Sequence, residues 1–197
     1  MRKLEHYYDA EITYTSNAIE GNTLTAVETT LVIEQGITIT GMPIRYVREL
    51  ANEKRSLIES DLRNLHRLTM QRSRPDIYGR YADVARYVRT ETGRFEFPSP
   101  TAIPALRGDF AGWLGAAPAT PEIAFSAHRR FLAVHPFNDG NGRTARLLMN
   151  LILTGGGYPP AAAPRALHQS QAGLGTESFD TLLYETGTMS FLQPCAR

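Results

Sequence analysis

Apolar positions recur at helical spacing along most of the chain, and one stretch alternates instead. From about Leu4 to Glu20, Tyr8, Ile12 and Ile19 supply an apolar stripe, and Gly21 is a natural stop. Thr25-Ala26-Val27-Glu28 reads as a capping box that opens a second helix to about Gln35. After a short stretch at Ile37–Gly41, Pro43 precedes a predicted long helix from about Ile44 to Met70. Its core face is Val47, Leu50, Leu57, Ile58, Leu62, Leu65 and Leu68, and Arg45, Arg48, Glu49, Glu53, Lys54, Arg55 and Glu59 form its solvated face. His66 falls on this helix as a packed or surface histidine.

The texture changes at Tyr81–Pro98. Val84, Tyr87, Val88, Phe95 and Phe97 flank Thr92-Gly93, which predicts a β-hairpin. Helical spacing then returns. Leu106, Phe110, Trp113 and Leu114 form one stripe, and Gly115–Ala119 reads as a loop. Thr120-Pro121-Glu122 is a cap, a first-turn proline and a first-turn acid, opening a helix to about Val134. His128 on that helix is a core or supporting histidine. A further helix from about Gly142 to Leu153 buries Leu147, Leu148, Leu151 and Ile152 and ends at Gly155-Gly156-Gly157. A last helix is expected over Thr176–Gly187, with Phe179, Leu182 and Leu183 inward. The fold class is therefore mainly α with one small hairpin, in a single domain over 1–197.

Composition adds limits rather than direction. Hydrophobic content of 42% and charged content of 21% are those of an ordinary globule, and a net charge of +1 favours neither nucleic acid nor a membrane surface. No apolar run nears the roughly 20 residues of a membrane span, and Met1 opens no secretory signal. The one cysteine, Cys195, cannot form an internal disulfide, and a cytoplasmic location is expected.

The chemistry concentrates between the two helices that follow the hairpin. His135–Arg146 reads His-Pro-Phe-Asn-Asp-Gly-Asn-Gly-Arg-Thr-Ala-Arg. Helix N-termini present unpaired N–H groups and the positive end of the dipole, so they hold phosphates. Gly140 and Gly142 let the backbone approach such a ligand. Arg143 and Arg146 are one turn apart and can address one anion. His135 is suited to accepting a proton near neutral pH. Asp139 offers a hard oxygen for Mg²⁺. Phe137 pins the loop on the core.

His135, Phe137, Asp139, Gly140, Asn141, Gly142, Arg143 and Arg146 match the motif of Fic (fido-fold) proteins at every specified position. At residue usage near 5%, eight fixed positions arise by chance about once in 10¹⁰ starts, so the chain is identified as resembling that family. The resemblance implies a fido-like helical domain and transfer of AMP from ATP to a Tyr, Thr or Ser hydroxyl of a target protein. His135 would be the base, and Asn138, Asp139, Gly140, Asn141, Gly142, Arg143 and Arg146 would bind the nucleotide, with Mg²⁺ on Asp139. It also divides the chain into an inhibitory helix (1–24), a flap (80–98) and a catalytic helix-loop-helix (120–154). In Ser16-Asn17-Ala18-Ile19-Glu20-Gly21-Asn22, Ser16 and Glu20 share one helix face, and the segment looks like the family's inhibitory motif. By that likeness Glu20 pairs with Arg146 and fills the space of the γ-phosphate. The hairpin matches the flap, which would align an extended target by strand addition along Val84, Ala85, Arg86, Tyr87, Val88 and Arg89.

The implied partners are ATP and a hydroxyl-bearing protein; self-modification and a homo-oligomer are compatible with the resemblance, and nucleic acid and membrane are not expected. Three alternatives stay open. One is transfer of another group, such as phosphate or phosphocholine. One is removal of AMP with Glu20 positioning a water. One is a non-catalytic nucleotide-sensing module. The adenine pocket has no pattern that can be transferred.

Overall fold

The computed structural model describes residues 47, 49–53, 55–71, 73–90 and 93–161. Within them the elements are α1 (Glu59–Met70), β1 (Tyr87–Thr90), β2 (Gly93–Glu96), α2 (Ile103–Ala116), α3 (Pro121–Val134) and α4 (Asn141–Gly155). The expected helices over Leu4–Glu20, Thr25–Gln35 and Thr176–Gly187, with Ser16, Glu20 and Cys195, lie outside the described residues.

The helix expected from Ile44 to Met70 is not continuous. Residues 49–52 are helical, residues 55–58 have no regular structure, and α1 begins only at Glu59 after an extended Ile58. The reason lies in Arg55, assigned to the solvated face, and its partner Asp61. Arg55 makes two 2.8 Å bonds to the carboxylate of Asp61, and Asp61 Oδ2 accepts from the N–H of Ile58 at 2.9 Å. That carboxylate caps a helix starting at Glu59, so the chain restarts there instead of running through. Burial opposes ionisation of Asp61, but the bonds from Arg55 outweigh it and hold its carboxyl below the ordinary carboxylate range. Ile58, expected in the core, is 53% exposed as a result.

α4 is the central element, packed most extensively on α3 and then across α1, with α2 against α3. Leu147, Leu148, Leu151 and Ile152 are buried, as their spacing predicts. Thr120 caps α3, its hydroxyl accepting from Ile123 N–H at 3.4 Å ahead of Pro121. The hairpin is antiparallel, with Tyr87 opposite Glu96 and Val88 opposite Phe95. Val84, expected within it, lies ahead of its strands. Among the described residues, no helix is long and apolar enough to cross a membrane.

Candidate active site

The loop between α3 and α4 is built from three anchors. Phe137 is fully buried. Its ring lies between His66, at 3.7 Å and 3° from parallel, and Tyr81, at 5.1 Å. Asn141 closes the loop from the other end. Its Oδ1 accepts from the N–H of Phe137 at 3.0 Å, and its Nδ2 donates to the carbonyl of Phe137 at 2.7 Å. One side chain thus replaces a rung of backbone pairing across four residues. The third anchor is the chain ahead of the hairpin: Tyr81 bridges Phe137, the N–H of Ala82 donates to the carbonyl of Pro136 at 2.9 Å, and Asn138 Nδ2 donates to Asp83 at 2.8 Å.

His135 caps α3 in the left-handed region, with φ 48°. A non-glycine residue there is strained, and strain of this kind collects at functional sites. Its Nδ1 faces the carbonyl of Leu132 at 3.3 Å. A carbonyl only accepts, so Nδ1 carries the proton and the lone pair is on Nε2. Burial pushes the imidazole down to about 4; the Leu132 bond opposes this, and the cation of Arg86 adds to it. The ring is therefore neutral at physiological pH, the form that can take up a proton.

The first turn of α4 is the candidate anion site. Gly140 is its N-cap at φ 74°, and a Cβ there would fall 2.5 Å from Met70 Sδ. Only glycine satisfies both the angle and the approach. Thr144 donates both its N–H, at 3.0 Å, and its hydroxyl, at 2.8 Å, to the carbonyl of Gly140. The N–H groups of Asn141, Gly142 and Arg143 precede this first helical bond and point out of the helix end. The carboxylate of Asp139 accepts from Gly140 N–H at 2.6 Å and lies 3.7 Å from Arg143. The Nε of Arg143 is buried without a hydrogen-bond partner. Arg146 is buried one turn further on, and its charge adds to the burial that pushes His128 down to about 3.

The hairpin stands over His135. Phe97 stacks on the imidazole with centroids 3.7 Å apart, and its N–H donates to the carbonyl of Arg86 at 3.0 Å. Val84, Tyr87 and Val88 are exposed. Arg86 is not: at 7% exposure it turns inward and donates to the carbonyls of Val84 and Pro98 at 3.4 and 2.5 Å. Its side chain ties the hairpin legs together beside His135.

A family model described as Fic/DOC matches residues 56–153, a span that takes in α1, the hairpin and the whole of this loop. The chain belongs to the Fic/DOC family. It is 35% identical over 170 residues to "Protein adenylyltransferase fic-1" of Caenorhabditis elegans, covering 77% of this chain and 33% of that protein. It is 34% identical over 167 residues to "Protein adenylyltransferase Fic" of Nematostella vectensis, covering 75% and 38%. The chain thus spans about a third of the length of the curated relatives it matches. Among solved structures it is similar to a Fic domain containing signaling protein from Bacteroides thetaiotaomicron. That likeness has a TM-score of 0.76 at 28% identity and covers 98% of this chain and 78% of that one. A structure of C. elegans Fic-1 gives 0.72 at 28% identity, covering 91% and 58%.

The Fic/DOC motif is thus gathered in one loop and the turn after it. Ser16 and Glu20 lie outside the described residues, so their place relative to this loop is not given by the geometry. Two side chains matter more than their sequence positions indicate. His66 is wholly buried against the loop, its Nε2 at 3.0 Å from the carbonyl of Asp139. Arg86 is buried at the hairpin base rather than exposed on its face. Neither has a local pattern that marks it.

Proposed function

We propose that the chain transfers AMP from ATP to a hydroxyl of a protein target. The observation that carries this reading is a neutral His135, with Nε2 as its base, next to the open N–H groups of a buried helix. A hydroxyl and a triphosphate would meet there. His135 Nε2 takes the hydroxyl proton as the oxygen attacks the α-phosphorus. The new P–O bond forms as the bond to the β-phosphate oxygen breaks, and pyrophosphate leaves. The N–H groups of Asn141 and Gly142 stabilise charge on the transferring group, and Arg143 and Arg146 hold the outer phosphates. The exposed residues Val84, Ala85, Tyr87 and Val88 at this leg of the hairpin would align the target segment.

Asp139 fits a magnesium ion. Its carboxylate is half-exposed beside the anion site, with one oxygen on Gly140 N–H. Among the described residues no cluster of three potential ligands surrounds it. That suits an ion held by one carboxylate plus the phosphates of its nucleotide. The ion would neutralise phosphate charge.

Control is part of the same reading. Glu20, in the motif Ser16–Asn22, pairs with Arg146 and denies it to the γ-phosphate, so ATP enters misaligned. Mass spectrometry of a lysate incubated with ATP and the Glu20→Gly variant tests the function. Target proteins gaining the mass of AMP support it. Gain of phosphate, or loss of pre-existing AMP, points to the alternative chemistries.

A further inference from the structure

We infer that His66 is a positioning residue for the active loop. It fixes the Asp139–Gly140 peptide, and through it the Gly140 N–H and the Asp139 carboxylate. This rests on the reading of the loop as the nucleotide site.

The argument starts from which groups can donate. The N–H of Gly79 donates to His66 Nδ1 at 2.8 Å, so that nitrogen is the acceptor of the ring. In a neutral imidazole the other nitrogen then carries the proton. His66 Nε2–H therefore donates to the carbonyl of Asp139, 73 residues away in sequence. Its plane is fixed by the face-to-face stack on Phe137. Donor, acceptor and ring plane are all set by the fold.

A trans peptide is planar, with its carbonyl and its following N–H pointing in opposite directions. No cis peptide is present among the described residues. Holding the Asp139 carbonyl toward α1 therefore directs the Gly140 N–H to the outer side of the loop. There it meets Asp139 Oδ1 at 2.6 Å. Gly140 has no side chain to resist rotation of this peptide, and glycine takes either sign of φ at little cost. A flipped peptide would turn a carbonyl oxygen toward the incoming phosphates and release the carboxylate. The bond from His66 opposes that flip. A merely packed histidine would need only the Phe137 stack.

Two variants separate these roles. His66→Phe keeps an aromatic ring on Phe137 and loses both hydrogen bonds. His66→Gln loses the ring and keeps an amide N–H that can reach the Asp139 carbonyl. Amide hydrogen exchange of Gly140, followed by NMR in the ligand-free protein, reads the peptide directly. ATP affinity is measured in parallel, with Mg²⁺ and with EDTA. His66→Phe is expected to speed Gly140 exchange and weaken ATP binding, each about tenfold, the effect of losing one hydrogen bond. Exchange at Leu148 in α4 stays as in wild type, and His66→Gln recovers most of both losses. The inference is overturned if Gly140 exchange in His66→Phe is unchanged, or if Leu148 accelerates equally. It is also overturned if His66→Gln behaves like His66→Phe. Absence of ATP binding by the wild type counts against the proposed function instead, because the exchange measurement needs no nucleotide.

Discussion

Phe97 lies flat on His135, with ring centroids 3.7 Å apart and planes 16° from parallel. The two residues belong to different parts of the site: Phe97 descends from the hairpin, and His135 ends α3. The stack makes the orientation of the imidazole depend on the position of the hairpin.

Phe97→Ala should therefore slow transfer with little change in ATP affinity. A misplaced base costs up to about 10²-fold in rate, whereas in the proposed mechanism the phosphates are held by α4. Comparing kcat with the ATP dissociation constant decides the matter. Equal losses in both would mean that Phe97 supports the whole loop and not the imidazole.

Arg86→Met should raise the pKa of His135. Burial is the larger reason that this imidazole titrates at about 4, and the Arg86 cation pushes it the same way. Removing the cation leaves burial in place, so the value rises only part of the way to its usual one. The acid limb of the pH–rate profile moves up with it, because the base protonates earlier as pH falls. NMR titration of the His135 ring is the check. An unmoved or lowered value would contradict the electrostatic role of Arg86.

Folding stability should fall in acid before the carboxylates titrate. Burial holds His135 at about 4 and His128 at about 3, both well below the ordinary histidine value. Above pH 6.5 neither state binds these protons and the two groups contribute nothing. Between 6.5 and about 4 the unfolded chain takes up protons that the folded chain refuses. Stability then drops as pH falls, by about 1.4 kcal/mol per unit for each histidine. His128→Gln should flatten the slope by one such share. Urea unfolding at a series of pH values measures it, and an unchanged slope would show that His128 is not held neutral.

Gly140→Ala should destabilise the domain by about 1–3 kcal/mol. The added methyl meets Met70 Sδ at 2.5 Å, at a backbone angle that L residues avoid. Measured in a Met70→Ala background, Gly140→Ala should cost less but not nothing, because the clash is relieved and the angle is not. No cost in that background would show that the angle costs nothing.

Much of this arrangement is legible in the sequence because its signals are local. Thr120-Pro121 announces α3, the triple glycine at 155–157 closes α4, and the residues from His135 to Arg146 carry the site within one loop. The break at 55–58 is not legible, because Leu57 and Ile58 keep helical spacing while a bidentate Arg55–Asp61 pair overrides it. His66 is hidden for another reason. Its partner is a backbone carbonyl 73 residues away, and a main-chain acceptor leaves no mark in sequence. The inward turn of Arg86 is set by the Val84 and Pro98 carbonyls, which are equally silent.

The central claim is that this chain moves AMP from ATP, with His135 as base and Glu20 as brake. The most direct measurement incubates wild type, Glu20→Gly, and Glu20→Gly with His135→Ala with ATP labelled at the α- or the γ-phosphate, and counts label bound to protein. The account predicts strong α-label in Glu20→Gly, little in wild type, and a loss of about 10²–10⁴-fold when His135 is also removed. Label from the γ-phosphate, or α-label that survives the loss of His135, would contradict it.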